Sequence, residues 1–427
     1  MKTSGRLYAF IFILAAFIAV IVLVGSNGGR LSRRDALPPD TRVHLIAYVD
    51  LEGQIHTIRP DGVSDPDTIS PKEGFFTWPA WSPDGTQIAF SGLPARDNGP
   101  GPLTLYISQI AQNETRVIYT NDPGMGPILN GMPHYPIWSP DSSRLAFMAS
   151  VSKGLTLFLD DLSDDKDATV VLRDSPLYAS WSADSRYLMV HAGADHFLVE
   201  VATGQSMADF TSQGIGYRAP AWWPLDSSKV ALLQSESGVQ NLYIADVETS
   251  ERTLIDEIPV NAAFLCSPDG YSLAVAKSRL QNAPIFQNIS IFSPDGAKKP
   301  IEVEGNILAY FWSPDSSKLT YIILTRNRGV LRVMMLDTNT GERWPLIDFA
   351  PSPDQSTIFQ FFDQFAHSHS PWSPDSRSLV FAGRLQGGGI SASLNRQTAP
   401  QIYVLDVGPN PSVSSIADGF LAFWAPR

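Results

Sequence analysis

The chain has 427 residues, of which 44% are hydrophobic and 17% are charged, so it is too apolar to be disordered and long enough to bury a large core. A formal net charge of −12 argues against a large basic surface for nucleic acid, so we expect no nucleic-acid partner. The single cysteine, Cys266, excludes an internal disulfide framework and a cysteine-rich zinc site. The 33 prolines and 31 glycines favour short strands joined by turns.

The chain begins with an apolar segment. Leu7 to Val24 is an uncharged, mostly apolar run, and Lys2 and Arg6 precede it. As a helix it would be about 27 Å long, close to the roughly 30 Å of a bilayer's hydrocarbon core. We therefore expect residues 1–25 to be an uncleaved membrane anchor, with a cleaved signal peptide as the alternative.

A polar linker, residues 26–41, follows and is predicted to be unstructured. Positive charges are nearly balanced on the two sides of the apolar run, so they do not orient it. Because Lys2 and Arg6 before a long apolar run resemble an export signal, we expect a single-pass membrane protein whose folded part is extracytoplasmic. After signal cleavage it would instead be secreted or periplasmic.

A short pattern recurs through residues 42–427. It consists of an aromatic residue, Ser-Pro-Asp, Gly or Ser, two variable residues and an apolar run, as in WSPDGTQIAF from Trp81 and WSPDSSRLAF from Trp138. Most copies begin 42 to 46 residues apart, the spacing of four-stranded propeller blades. The repeat residues are Trp81, Asp84, Trp138, Asp141, Trp181, Asp184, Trp223, Asp226, Asp269, Trp312, Asp315, Trp372, Asp375 and Trp424.

Each copy predicts two strands and a turn. Pro fixes φ, Asp bonds the turn backbone and Gly tolerates positive φ, while the residues on both sides are apolar and strand-like. The simplest role of the recurring Trp is packing between neighbouring blades.

These residues resemble the WD40-like β-propeller repeat of TolB, and related repeats build the propellers of the prolyl oligopeptidase and dipeptidyl peptidase group. The resemblance covers about residues 43 to 427 and implies an all-β propeller fold. It does not imply TolB's own role, because TolB carries a separate N-terminal domain where this chain has a linker.

The two ends of the chain predict the blade count. A strand near His44 has no preceding Trp motif, and the final segment GFLAFWAPR has no following strand. Joined, they complete one blade and leave no exposed sheet edge. We therefore expect eight blades closed by both termini, or seven if the unit around Trp223 is not a separate blade.

The loops divide between two faces. The turns after each Trp lie on one face, which we call the Pro-Asp face. The four longest insertions, residues 93–102, 121–134, 351–370 and 384–400, are all predicted on the opposite face, which we call the insertion face. Long loops are more often functional or disordered than short ones, so this face is the predicted binding surface.

Candidate binding residues lie in these insertions. Exposed aromatic side chains at high density often mark a binding surface, although this loop could also fold back and bury its own. Three histidines could ligate a metal, but no recognised motif connects them, so we expect neither a metal nor a cofactor. The candidates are His134, Tyr135, Phe359, Phe361, Phe362, Phe365, His367 and His369.

No catalytic motif is recognisable. The chain lacks a GxSxG nucleophile elbow and the hydrolase domain that accompanies the peptidase propellers. The favoured hypothesis is therefore a non-catalytic binding or scaffolding propeller of the bacterial cell envelope that recognises a protein partner through the insertion face. The alternatives are a small-ligand or glycan binder that uses the central channel, and an enzyme with its active site at the channel mouth.

Overall fold

The computed structural model describes residues 45–96, 99–121, 135–151, 154–163, 166–213, 218–279, 284–385, 399–408 and 411–426. This part of the chain is all-β, as predicted, with two short helices. The apolar segment, the linker and His134 lie outside the described residues. Within the described ranges, no helix is both long enough and apolar enough to cross a bilayer.

The chain folds into antiparallel sheets built from consecutive strands. Three sheets of four strands each follow the chain order. Their strands are β9 (Tyr135–Trp138), β10 (Arg144–Val151), β11 (Gly154–Asp161) and β12 (Thr169–Arg173); β13 (Leu177–Trp181), β14 (Tyr187–Ala192), β15 (Asp195–Glu200) and β16 (Gln205–Gln213); and β17 (Ala221–Trp223), β18 (Asp226–Glu236), β19 (Val239–Asp246) and β20 (Arg252–Ile258).

Another sheet has an extra short strand. Strands β4 (Gly74–Trp81), β5 (Gln87–Arg96), β7 (Thr104–Gln109) and β8 (Glu114–Thr120) pair in that order, and β6 (Gly99–Pro100) pairs with the end of β5. The predicted insertion at residues 93–102 is therefore partly a continuation of a hairpin.

The next ten strands form one continuous sheet. Two long strands, β24 and β27, make the sheet continuous. The earlier part of each is the outer strand of one set, and its later part pairs with a strand of the next set. The strands are β21 (Asn261–Cys266), β22 (Leu273–Ser278), β23 (Phe286–Phe292), β24 (Lys298–Trp312), β25 (Lys318–Leu324), β26 (Leu331–Asp337), β27 (Arg343–Pro351), β28 (Ser378–Leu385), β29 (Gln401–Asp406) and β30 (Val413–Asp418).

The two ends of the described chain meet in one sheet. Strands β1 (Ile46–Val49), β2 (Ile55–Ile58) and β3 (Asp67–Thr68) are joined by the last strand, β31 (Leu421–Trp424). In the antiparallel register Ile46 lies opposite Trp424 and Val49 opposite Leu421. The pairing of the chain ends predicted from the sequence is present, and β1 begins beside the Pro-Asp face.

The repeated tryptophans link consecutive sheets. Six tryptophans at the innermost strands are buried, and each donates its Nε1–H to a backbone carbonyl of the preceding innermost strand. The bonds run from Trp81 to Phe423 (3.4 Å), Trp138 to Ala80 (3.0 Å), Trp181 to Ile137 (3.0 Å), Trp222 to Ser180 (2.9 Å), Trp312 to Leu265 (3.1 Å) and Trp372 to Phe311 (3.2 Å). Sequence-distant strands are thereby held in a fixed order.

The Gly-or-Ser position of the repeat also has a structural explanation. Ser142, Ser185, Ser316 and Ser376 adopt φ near +60°, where Gly85 and Gly270 stand in other copies. Serine adds a hydroxyl that accepts the backbone N–H of the aspartate in the preceding turn, for example Asp84 to Ser142 at 3.2 Å. Serine thus bonds to the neighbouring sheet in a conformation that otherwise favours glycine.

One repeat differs from its prediction. Trp222, not Trp223, donates to the preceding sheet, and Trp222 pairs with Val230 because the turn contains one extra residue. Trp223 instead donates to the Gly270 carbonyl of the next turn at 2.7 Å and packs in one cluster with Cys266. Cys266 occupies the tryptophan position of the next copy, so the second tryptophan stabilises the interface that lacks an indole.

The insertion at residues 351–370 is helical. Helix α1 (Pro353–Gln360) begins at Ser352, whose Oγ accepts the Gln355 backbone N–H at 3.0 Å, with a proline in the first turn. A second short helix, α2 (Phe362–Phe365), follows directly. The insertion connects the end of β27 to the segment that ends at Trp372, so it begins on the insertion face.

Candidate functional site

A cavity of about 610 Å³ lies in the centre of the molecule, enclosed by residues from all the sheets. Its wall consists mainly of the repeated tryptophans and of the prolines that follow them. The prolines are at least partly exposed and form the rim on the Pro-Asp face. They are Pro83, Pro140, Pro224, Pro268, Pro314, Pro374 and Pro426, with Ala183 at the corresponding place in the Trp181 copy.

The helical insertion forms the floor of this channel. Gln364, Ala366, His367, Ser368 and Ser370 line the cavity at the end opposite the proline rim. The channel is therefore closed toward the insertion face and accessible from the Pro-Asp face. A protein-binding surface on the insertion face stays a prediction.

The phenylalanines of the insertion explain why it folds inward. Phe359, Phe362 and Phe365 are 2%, 0% and 8% exposed, whereas Phe361 is 36% exposed. The Phe362 ring centroid lies 4.7 Å from that of Tyr310 on β24. Of the two alternatives, the one in which the loop folds back and buries its own aromatics holds for these three residues, because burying their rings against the sheets stabilises the fold.

Tyr135 has a structural contact with the same insertion. Its hydroxyl donates a hydrogen bond to the Gln364 carbonyl, and burial raises the pKa of Tyr135, so the phenol remains protonated. Its ring lies edge-on to Phe365 at 4.8 Å. Tyr135 therefore connects β9 to the floor of the channel.

A buried ion pair holds the other side of the floor. Arg218 and Asp363 are 8% and 4% exposed, and their closest charged atoms, Nη1 and Oδ1, are 3.4 Å apart. Burial raises the pKa of Asp363, and the Arg218 guanidinium opposes that rise. Arg218 also donates from Nε to Asn261 Oδ1 at 3.2 Å. The pair attaches the insertion to the opposite side of the channel.

The two described candidate histidines do not share one site. His369 is 1% exposed and packs among Trp78, Phe365 and Phe423, with Nδ1 2.6 Å from Ser368 Oγ. His367 instead is exposed and lines the channel, and partial desolvation by the surrounding protein lowers its pKa. Among the described residues, no group of three or more His, Cys, Asp or Glu side chains could hold a metal ion.

His369 should make the fold sensitive to acid. Burial lowers the pKa of His369 to about 3, below the roughly 6.5 expected in the unfolded chain. The contribution of neutral His369 to stability is therefore fully present above about pH 6.5. It is lost as the pH falls toward 3, because in this range only the unfolded chain binds the proton. Between pH 7 and pH 4, the free energy of unfolding should fall by on the order of 3 kcal/mol more in wild type than in His369→Phe, measured by urea unfolding. An equal difference at both pH values would contradict this assignment.

The repeated aspartates cap their own turns. Asp84 Oδ1 accepts from Ser82 Oγ at 2.6 Å and from the Thr86 backbone N–H at 3.0 Å. Burial alone would raise the pKa of Asp84, but these hydrogen bonds outweigh it and lower the pKa. The same pattern recurs at Asp141 and Asp315. The predicted turn role therefore accounts for these carboxylates.

The channel lining was missed in the sequence analysis, although its signal was present. The Trp and Pro of every copy were assigned only to packing and turns. Because the same position recurs in each sheet, the repeated residues face one common axis. A ring of such residues is the expected wall of a channel wherever the sheets are arranged radially.

The four-stranded sheets, their radial tryptophans and the central channel define the chain as a β-propeller protein. No family model matches its sequence, and no curated protein matches it significantly.

Solved structures resemble the chain at low sequence identity. The dihydro-heme d1 dehydrogenase NirN is 13% identical, with 93% of this chain and 78% of NirN covered and a TM-score of 0.55. A eukaryotic initiation factor is 12% identical, with 90% and 99% covered and a TM-score of 0.54. TolB from Acinetobacter baumannii is 16% identical, with 80% and 83% covered and a TM-score of 0.39. Identity this low shows a shared fold alone, and the likeness to TolB adds no argument to the one that the repeat carries.

Proposed function

We propose that this chain is a non-catalytic binding protein whose central channel holds a small molecule. The observation that carries the proposal is the cavity of about 610 Å³, which is open at the proline rim and closed by the helical insertion. Ligand pockets typically have about 300–1,000 Å³ and combine apolar walls with a few polar groups. The tryptophan and proline wall and the polar floor correspond to that description.

We further propose that the sheets form eight blades. The innermost strands that support this count are β4, β9, β13, β17, β21, the second half of β24, the bridge at Trp372 and β31. Each ends at one copy of the repeat. The seven-blade alternative is disfavoured because β17 to β20, around Trp223, form a complete four-stranded sheet.

The partners and positions of the carboxylates favour binding over catalysis. Asp363, the one carboxylate among the described residues that line the channel, is paired with Arg218. The repeated aspartates lie outside the channel lining and cap their own turns. Neither set offers a free carboxylate facing the channel, so an enzyme remains the weaker hypothesis. A protein partner at the insertion face also stays a prediction, now with Phe361 as its exposed aromatic residue.

Membrane attachment would orient the channel. The described chain starts at Leu45, whose carbonyl accepts the Ala425 N–H beside the rim. The linker, residues 26–41, would span roughly 20–25 Å if it is flexible. If residues 1–25 anchor the chain, as proposed, the Pro-Asp face and the channel mouth lie near the bilayer, with the folded part outside the cytoplasm.

The channel assignment is testable by filling it. Ala366→Phe on the floor and Ala183→Trp at the rim should each abolish co-purification of a small molecule with the full-length protein. The matched control Ala202→Phe, in an exposed turn, should retain it. The readout is mass spectrometry of the molecules released on denaturation, with circular dichroism to verify folding. Identical extracts from all three variants and wild type, or no enriched molecule in wild type, would contradict the proposal.

A further inference from the structure

The channel is lined by groups that carry no unpaired charge. The titratable residues among those that line it are Tyr135, Cys266, Asp363 and His367. Burial raises the pKa values of the Tyr135 phenol and the Cys266 thiol, so both are neutral, and Asp363 is paired with Arg218. The lowered pKa of His367 leaves its imidazole neutral as well at pH 7.

The walls offer flat apolar surface and few hydrogen-bond donors. Partly exposed proline rings and indole rings that are 2% to 7% exposed line the channel. The wall indoles of Trp138, Trp181 and Trp312 already donate their N–H groups to neighbouring sheets. A ligand therefore meets the proline rings and the exposed parts of the indoles, and an apolar ring packs well on such surfaces.

The floor supplies neutral polar groups. The Gln364 side-chain amide and the His367 imidazole both line the cavity. Among the described residues, neither side chain has a hydrogen-bond partner, while the Gln364 backbone carbonyl is occupied by Tyr135. An amide and a neutral imidazole can each donate and accept, which suits a hydroxyl, carbonyl or amide group.

We propose that the channel selects an uncharged, ring-shaped ligand that lies against the tryptophan and proline wall and bonds through a neutral polar group to Gln364 and His367. An ionised ligand would leave water for a cavity without a free countercharge, which is unfavourable. The inference rests on the proposed function, because it assigns a chemical class to the ligand of the same channel.

Three indoles of matched size and different charge test this selectivity. The probes are indole-3-acetamide, which is neutral, indole-3-acetate, which is an anion, and tryptamine, which is a cation. Titration of the full-length protein at pH 7, followed by ligand-observed NMR, should give a dissociation constant for the amide at least tenfold lower than for either ion. Ala366→Phe should remove this binding, and Ala202→Phe should not.

A charge introduced on the floor provides the second arm. Gln364→Lys should reverse the order and favour indole-3-acetate over the amide by at least tenfold, whereas Gln364→Met should weaken the amide without favouring either ion. If a charged probe binds wild type as tightly as the amide and Ala366→Phe blocks it, the channel binds ligands but the selectivity is wrong. If binding of every probe is insensitive to Ala366→Phe, the proposed function itself fails.

Discussion

Deletion of residues 420–427 is expected to abolish cooperative folding of the protein. This segment contains β31, which pairs with Ile46–Val49 and closes the sheet formed by both chain ends. Its side chains Leu421, Phe423 and Trp424 are 0%, 1% and 6% exposed. Truncating one such buried aromatic residue typically costs about 3–5 kcal/mol, and a whole domain is stable by only about 5–15 kcal/mol. Differential scanning calorimetry should show no cooperative transition.

Two controls separate strand closure from general sensitivity of the C-terminus. Deletion of residue 427 alone should leave the melting temperature unchanged, since β31 remains. Trp424→Phe should be milder than Trp138→Phe by about 1 kcal/mol, because Trp424 Nε1 has no partner among the described residues whereas Trp138 donates to Ala80. A wild-type melting temperature after deletion of residues 420–427 would show that β31 does not close the fold.

Arg218→Met should destabilise the protein by about 3–5 kcal/mol at pH 7. The substitution leaves the Asp363 carboxylate buried without its cation, and removes the connection between the insertion and the far side of the channel. Because burial raises the pKa of Asp363, an acidic pH protonates the carboxyl in the folded state and relieves the penalty. The loss should therefore be smaller at pH 5 than at pH 7, measured by urea unfolding.

The matched control breaks a more exposed ion pair. Arg332 and Asp348 are 43% and 34% exposed, so Arg332→Met should cost only about 0–1 kcal/mol. Combining Arg218→Met with Asp363→Leu should recover most of the lost stability, because no charge then remains buried. Equal losses in Arg218→Met and Arg332→Met would contradict a dominant role for the buried pair.

Much of the fold followed from local sequence. Pro-Asp-Gly and Pro-Asp-Ser specify turns through φ preferences and side-chain bonds that act within a few residues, and the apolar runs around them specify strands. The pairing of the chain ends could also be predicted, because each end carries a strand without a partner in its own repeat and the two ends complete each other. For these features the determining interactions are local or repeated, so the pattern is visible in the sequence.

The course of the insertion was decided by tertiary contacts. Four phenylalanines in one loop are equally compatible with an exposed surface and a buried plug. The choice depends on Tyr310 and on Arg218, the latter 145 residues from its partner Asp363. Residue type alone does not reveal such a partner, so the sequence left both alternatives open, and the tertiary contacts bury three of the four rings.

The sequence by itself therefore determined the repeat, the all-β class, the turns and the pairing of the two ends, because each depends on short-range preferences or on periodicity. The tertiary structure alone decided that Trp222 rather than Trp223 bonds to the preceding sheet, and that the insertion closes one end of the channel. It also decided that the accessible mouth lies at the proline rim. These features depend on which distant side chains fill the remaining space, and close packing settles that question only when the whole chain is assembled.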